Sequence, residues 1–233
     1  MKRKFRFLSL LVISFSLLAN SARSSEFDVE DPLNFERARD LTLRGGLFYG
    51  EDIVGADIRA SYGVNDIFVV GADVKYQQDF DNDRNWDGLS HLGLNMMYRM
   101  SKGIVTSDVF AGVKFAGNAV PEFSETIYSA GFRMGRGWDK ITLAGLVKTS
   151  WIFDEINGMA WINLVPEAYF RVTNNWRIGT WADFQKVTDP NFDQTWLGLK
   201  VVHQYGRTQY VAFGQYEFNE SEFRFGGRIN VVF

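Results

Sequence analysis

The chain has no cysteine and only four prolines, and after residue 22 it has no long apolar run. Without cysteine, neither disulfides nor thiolate metal clusters can stabilise the fold. Without a later apolar stretch of roughly 20 residues, the sequence contains no helical membrane span. With a formal net charge of −3, the chain also lacks the excess of basic residues that is typical of a nucleic-acid-binding protein. Because 46% of the residues are hydrophobic and 16% aromatic, we expect stability to come from a large core or from surrounding lipid.

The first residues carry the pattern of a secretory signal peptide. Basic residues crowd the first six positions, and an apolar run from Phe7 to Ala19 follows. Small residues around Ser21 and Ala22 are typical of a cleavage site. The apolar run is shorter than the roughly 20 residues that cross a bilayer as a helix. We therefore expect residues 1–22 to be a cleaved signal peptide and the mature chain to leave the cytoplasm.

From residue 41 onward, apolar and polar residues alternate with a period of two. In the segment IFVVGADVKYQQ, the apolar residues from Phe68 to Tyr76 share one face and the polar residues from Gly71 to Gln77 share the other. Such alternation is typical of a strand with one apolar and one aqueous face. It predicts twelve strands, or ten if weak segments at the ends are misread. The predicted strands are 41–49, 54–62, 68–77, 91–100, 105–116, 126–136, 140–153, 160–172, 176–186, 195–205, 208–218 and 223–233.

The connections between these strands alternate in length. Short turns such as GVND, SKG and TNN follow even-numbered strands, whereas longer acidic stretches such as DFDNDRNWDG and VTDPNFDQ follow strands three, five, seven and nine. Short turns at one end and long loops at the other are typical of an outer-membrane barrel with periplasmic termini. Residues 23–40 lack the alternation, so they are either a loose periplasmic segment or a short helix that plugs the lumen.

Charged residues within the strands fall on the polar faces. The basic ones are Arg44, Arg59, Lys75, Arg99, Lys114, Arg133, Lys148, Arg171, Arg177, Lys200, Arg224 and Arg228. The acidic ones are Asp57, Asp73, Asp108, Glu167, Asp183 and Glu217. An Arg or Lys that faces lipid at the bilayer midplane costs roughly 2–4 kcal/mol. The polar faces must therefore point into an aqueous lumen or outward to bulk water. If they line a lumen, that lumen is basic, because basic residues outnumber acidic ones.

Two further residue types repeat along the predicted strands. Aromatic residues mark the ends of the apolar faces and predict girdles at the lipid headgroups: Tyr49, Tyr62, Tyr76, Tyr98, Tyr128, Trp151, Trp161, Trp176, Tyr205, Tyr210 and Tyr216. Glycines on the lumen faces would relieve crowding in a narrow barrel: Gly55, Gly71, Gly93, Gly112, Gly131, Gly179, Gly198 and Gly226. Such a barrel can do without a packed apolar interior, because closure pairs every backbone group.

With these features, residues 41–233 resemble a Gram-negative outer-membrane β-barrel protein of the porin-like kind. The strongest local motif is the last strand, which resembles the signal that the barrel assembly machinery reads in this class. The residues that carry the motif are Phe225, Ile229, Val231 and the terminal Phe233. Gly227 departs from it, since members of the class often have a large residue there. The resemblance implies an antiparallel up-and-down transmembrane barrel in the bacterial outer membrane. It also implies contact with outer-membrane lipid and lipopolysaccharide, and with the assembly machinery during insertion.

Candidate catalytic and metal-binding residues are few. His91 and Ser90 are chain neighbours that point to opposite faces of a regular strand, so they cannot approach within the about 2.6–3.2 Å of a nucleophile and its base. His203 lies on the lipid-facing phase, as an interface residue would. Neither histidine matches the HxSN or HESNG motif of lipid-hydrolysing barrels. The acidic loop that contains Asp79, Asp81, Asp83 and Asp87 lacks the EF-hand pattern. The sequence therefore predicts no enzyme, no cofactor and no dedicated metal site.

The basic lumen predicts a narrow passive channel for small anions or acidic solutes. Barrels of about eight strands are filled by side chains and those of about 16–18 leave an open channel, so about twelve strands should leave a partly obstructed pore. There, lining charges lie within a Debye length of about 8 Å of any solute. The predicted lining residues are Arg59, Lys75, Arg99, Lys114, Arg133, Lys148 and Lys200, with Asp57, Asp73 and Asp183. The arrangement is similar to that of twelve-stranded channels for acidic sugars. In the alternative interpretation, acids and bases pair and the barrel is structural or adhesive and does not conduct.

Overall fold

The computed structural model describes residues 39–51, 53–80, 88–117, 126–152, 159–188, 193–219 and 221–233. Within these ranges the chain forms twelve strands: β1 Leu41–Gly50, β2 Ile53–Asn65, β3 Phe68–Asp79, β4 Gly88–Lys102, β5 Thr106–Ala116, β6 Ile127–Gly137, β7 Ile141–Ile152, β8 Met159–Arg171, β9 Trp176–Val187, β10 Gln194–Tyr205, β11 Thr208–Glu217 and β12 Phe223–Val232. The predicted signal peptide and nearly all of the segment 23–40 lie outside the described residues. In the part of the chain that is described, no helix is long and apolar enough to cross a membrane.

The strands form one closed antiparallel barrel in which each strand pairs with its neighbours along the chain. The barrel closes where β1 pairs with β12, from Thr42 opposite Val232 to Gly50 opposite Arg224. Closure pairs the backbone of every strand on both sides and leaves no open edge. The predicted all-β, up-and-down barrel is confirmed, and so is the count of twelve strands rather than ten.

The connections that follow the even-numbered strands lie at one end of the barrel, which we call the turn end; the opposite end is the loop end. The turns have the residues that tight turns require. Gly206, between β10 and β11, adopts φ +57°, a left-handed conformation that glycine adopts without strain. The Asn65 side-chain oxygen accepts a hydrogen bond from the Ile67 backbone (2.9 Å), and the Thr173 hydroxyl accepts one from the backbone of Trp176 (3.1 Å). These local features favour the turns of the β2–β3, β8–β9 and β10–β11 hairpins.

The two faces of the barrel differ in chemistry as the alternation predicts. The face that points away from the barrel axis, here the outer face, carries large exposed apolar side chains such as Ile58, Met96 and Leu199. A continuous exposed apolar surface is suited to lipid rather than to water. Most of the predicted girdle residues lie on this face, but Trp161 does not. It shares the phase of Asn163, whose side chain is buried inside the barrel. The prediction for Trp161 is wrong because this residue, although near the end of β8, has the inward phase of that strand.

Candidate functional site

The side chains that point toward the barrel axis form a surface that we call the inner wall. All the predicted lining residues lie on it: Asp57, Arg59, Lys75, Arg99, Arg133, Lys148, Asp183 and Lys200 are buried, and Asp73 and Lys114 are half-buried. The other charged residues predicted on the polar faces share the inner phase of their strands: Arg44, Asp108, Glu167, Arg171, Arg177, Glu217, Arg224 and Arg228. The sequence thus located the charged residues on the correct face. That they line a path for solutes stays a prediction.

The most deeply buried ion pairs join three strands through Asp108. Asp108 lies on β5 and is 1% exposed. It is directly opposite Arg99 on β4 and Arg133 on β6. One carboxylate oxygen accepts from Arg99 Nε at 2.7 Å, and the other accepts from Arg133 Nη2 at 2.5 Å and Nε at 3.1 Å. We call this arrangement the Asp108 bridge. It satisfies the carboxylate from both sides and neutralises one of the two arginine charges.

A second carboxylate, Asp73 on β3, accepts hydrogen bonds from two side chains of β4. His91 Nε2 lies 2.8 Å from one of its oxygens and Asn95 Nδ2 lies 3.2 Å from the other. β4 reaches this position through an irregularity: Lys75 pairs with His91 but Tyr76 pairs with Leu89, so Ser90 is an extra residue. The assumption of a regular strand at Ser90 is therefore wrong. The hydrogen bond to Asp73 holds the His91 ring on the inner wall, which is typical of a structural role.

Lysine ammonium groups on the inner wall lie over aromatic rings. Lys200 Nζ is 5.0 Å from the ring centroids of both Tyr169 and Trp181, and it forms an ion pair with Glu167 at 3.4 Å. The Tyr169 hydroxyl donates to the same Glu167 oxygen at 2.8 Å. A ring face attracts a cation through its quadrupole, so these rings hold the ammonium group in addition to the carboxylate.

The inner-wall glycines have a more specific role than relief of crowding. Aromatic rings lie directly on them from the preceding strand: Phe48 on Gly55, Phe110 on Gly131, Tyr169 on Gly179 and Trp181 on Gly198. A Cβ atom at Gly198 would lie 2.2 Å from Trp181 Cζ2. Only a residue without a side chain leaves room for a ring that lies flat on the wall.

We expect Gly198→Val to destabilise the barrel, because the new side chain would occupy the position of the Trp181 ring. Overpacking of this kind costs about 1–3 kcal/mol. Denaturant unfolding of the refolded barrel should show the loss. Gly145→Val is the matched control, since the nearest atom to its Cβ is 4.0 Å away on the outer face. Equal stability of the two variants would contradict the packing explanation.

The inner wall also carries apolar residues that the sequence interpretation missed. Among the described residues, eight buried apolar side chains form one cluster, which we call the inner apolar cluster: Phe48, Val69, Met97, Phe110, Leu146, Val165, Trp181 and Phe213. β1 and β7, which carry Phe48 and Leu146, lie on opposite sides of the closed barrel. The cluster therefore includes residues on opposite sides of the bore. The available signal was a set of apolar doublets, such as Met96–Met97, in which one member has the polar phase.

Outside the inner wall, the predicted assembly residues Phe225, Ile229 and Val231 lie on the outer-face phase of β12. Phe233 follows the strand; its backbone N–H donates to the carbonyl of Leu41 at 2.8 Å. His203, as expected, is on the outer face, and its ring stacks on Trp176 at 4.4 Å.

At the loop end, the exposed Lys186 donates a hydrogen bond to the Asp193 carboxylate. This bond, with a second from the Val187 backbone, lowers the pKa of Asp193. In the described ranges, no group of three or more His, Asp or Glu side chains could hold a metal ion. The side chain of Asp79 and residues 81–87, which include Asp81, Asp83 and Asp87 of the acidic loop, lie outside them.

No family model matches the sequence, and no curated protein is significantly similar to it. Solved structures of similar architecture include outer-membrane channels and the translocator domain of the autotransporter NalP from Neisseria meningitidis. An outer membrane channel from Pseudomonas putida F1 has a TM-score of 0.67 and 10% identity, over 89% of this chain and 100% of that one. The KdgM porin, solved in complex with a disordered oligogalacturonate, has a TM-score of 0.65 and 10% identity, over 82% and 99%. The NanC porin has a TM-score of 0.61 and 10% identity, over 83% and 98%. At these identities the likeness establishes a shared barrel fold.

Proposed function

We propose that the protein is a narrow, porin-like passive channel of the bacterial outer membrane that passes small anions or acidic solutes. The observation that carries the proposal is the inner wall, on which basic side chains outnumber acidic ones although the whole chain is negative. In a bore walled by low-dielectric material, such charges attract anions and repel cations. The KdgM porin, with its oligogalacturonate, is a precedent for an acidic solute in a barrel of this shape. The proposed transport is passive and involves no catalytic step or cofactor.

The proposal includes export through the cleaved signal peptide, insertion by the barrel assembly machinery and contact with outer-membrane lipid and lipopolysaccharide. The part of the proposal that concerns lipid is supported by the outer face, where large apolar side chains such as Leu164 and Leu199 are exposed. Lipid removes that surface from water, as the hydrophobic effect requires.

A second candidate function is that of a rigid barrel that does not conduct. It is favoured by the Asp108 bridge and by the inner apolar cluster, since both occupy the bore. In that case the basic residues would serve only to hold the strands together. Conductance of the purified protein in a planar bilayer separates the two functions, because only the channel adds current.

In a potassium chloride gradient, we expect the reversal potential to lie toward that of chloride. The double variant Lys114→Glu/Lys148→Glu should shift it toward that of potassium, because both side chains lie on the inner wall. At an effective dielectric constant near 20, one charge about 8 Å from an ion changes its energy by about 2 kcal/mol, which corresponds to roughly thirtyfold in the permeability ratio. Lys186→Glu, on the exposed loop end, is the control and should shift it far less. A wild-type reversal potential near that of potassium, left unchanged by the double variant, would overturn the proposed selectivity.

A further inference from the structure

The inner apolar cluster lies where a solute would have to pass. Its members come from β1, β3, β4, β5, β7, β8, β9 and β11, and each is at most 7% exposed. Val69, Met97 and Phe110 are direct cross-strand neighbours, and the Trp181 and Phe213 rings meet edge to face at 6.4 Å between centroids. Side chains on the wall of a wide water-filled bore would be exposed, so the burial of these residues indicates that apolar side chains narrow the bore where they lie. Constrictions of this type control permeation by excluding water.

Cationic groups border the cluster. Lys75 Nζ lies 4.9 Å from the Phe48 ring centroid, and Lys200 Nζ lies 5.0 Å from that of Trp181. Arg133 Nη2 lies 3.5 Å from the Met97 sulfur. An anion that reaches the cluster therefore finds a positive group at its edge and hydrocarbon at its centre.

From this combination we infer that the inner apolar cluster is the selectivity constriction, and that the channel favours organic anions with an apolar body. This inference rests on the proposed channel function. A carboxylate with a hydrocarbon body keeps its charge beside Lys75 or beside Arg133, which shares one carboxylate with Arg99, while its body packs against the cluster. A polyhydroxylated acid would bring hydroxyl groups into a region where apolar side chains offer them no hydrogen bonds, and unpaired polar groups are costly.

Two six-carbon monocarboxylates provide the test, because hexanoate and gluconate differ in their hydroxyl groups but not in charge. Bi-ionic reversal potentials of the full-length protein are measured at about pH 8, where both acids are anions. We expect hexanoate to be at least several times more permeant than gluconate. The double variant Met97→Gln/Leu146→Asn should remove most of this preference and leave the preference for anions over cations in place.

The matched control is Met96→Gln/Val147→Asn, which makes the same polar changes at the neighbouring outer-face positions. If the inner double variant fails to fold, Val165→Thr introduces one hydroxyl into the cluster at nearly constant volume, with Val147→Thr as its control. A gluconate permeability equal to or above that of hexanoate, or a ratio that the folded inner variants leave unchanged, overturns the inference. Failure of the proposed function is a different result, since the wild-type protein would then carry no anion-selective current in potassium chloride.

Discussion

The free energy of unfolding is expected to fall by about 3–5 kcal/mol when Asp108 is replaced by asparagine, as for other buried ion pairs that lose one partner. Asp108 lies between Arg99 and Arg133, and all three residues are buried. Without the carboxylate, two guanidinium groups would face each other inside the barrel with no negative charge between them. Denaturant unfolding of the barrel refolded in lipid vesicles, followed by tryptophan fluorescence, measures the change.

Two further variants distinguish a buried charge effect from general damage. The triple variant Arg99→Met/Asp108→Leu/Arg133→Met removes all charges of the Asp108 bridge together, and its stability should return most of the way to wild type because apolar groups of similar volume often replace buried ion pairs well. Asp193→Asn removes a carboxylate from the pair with the exposed Lys186 and should change stability far less than Asp108→Asn does. If Asp108→Asn were as stable as Asp193→Asn, the bridge would not stabilise the barrel.

When Phe233 is replaced by alanine, we expect most of the protein molecules not to assemble in the outer membrane. The Phe233 side chain is 60% exposed, and the backbone bond to Leu41 does not depend on it. Barrel stability after refolding in detergent should therefore change little, while insertion in cells should drop because the proposed recognition signal is lost. Cell fractionation with unboiled and boiled electrophoresis measures the assembled fraction.

Phe223→Ala is the control for this prediction. Phe223 lies on the outer face of the same strand, at its other end, with 52% of its surface exposed. It should assemble nearly as well as the wild type. Equal assembly of the two variants would show that the terminal aromatic residue is not read as a signal.

The strands were predictable because their two faces meet different solvents, lipid and the barrel interior, so the sequence has to alternate. The predicted bounds are least accurate for β4, which begins at Gly88 rather than at residue 91. The extra residue Ser90 interrupts the alternation there, and a period-two pattern cannot be followed through such an irregularity.

The contacts of the inner wall could be predicted only in part. The phase of each strand placed Arg99, Asp108 and Arg133 on the inner wall, but their bridge depends on the register between β4, β5 and β6, which alternation does not determine. The inner apolar cluster was missed for a different reason. The phase that places Arg99 on the inner wall also places Met97 there, but alternation within one strand does not indicate that inward apolar residues from eight strands pack together.

The pairing of β1 with β12 has a consequence for the kinetics of folding. Residues such as Thr42 and Val232 are far apart in sequence but hydrogen-bonded neighbours in space, so the last contacts to form have high contact order and require loss of chain entropy before they add stability. Until they form, the strands at both ends expose unpaired backbone groups, which lipid cannot satisfy. We therefore expect partly formed barrels to be short-lived and closure of this seam to limit the rate at which the native state appears.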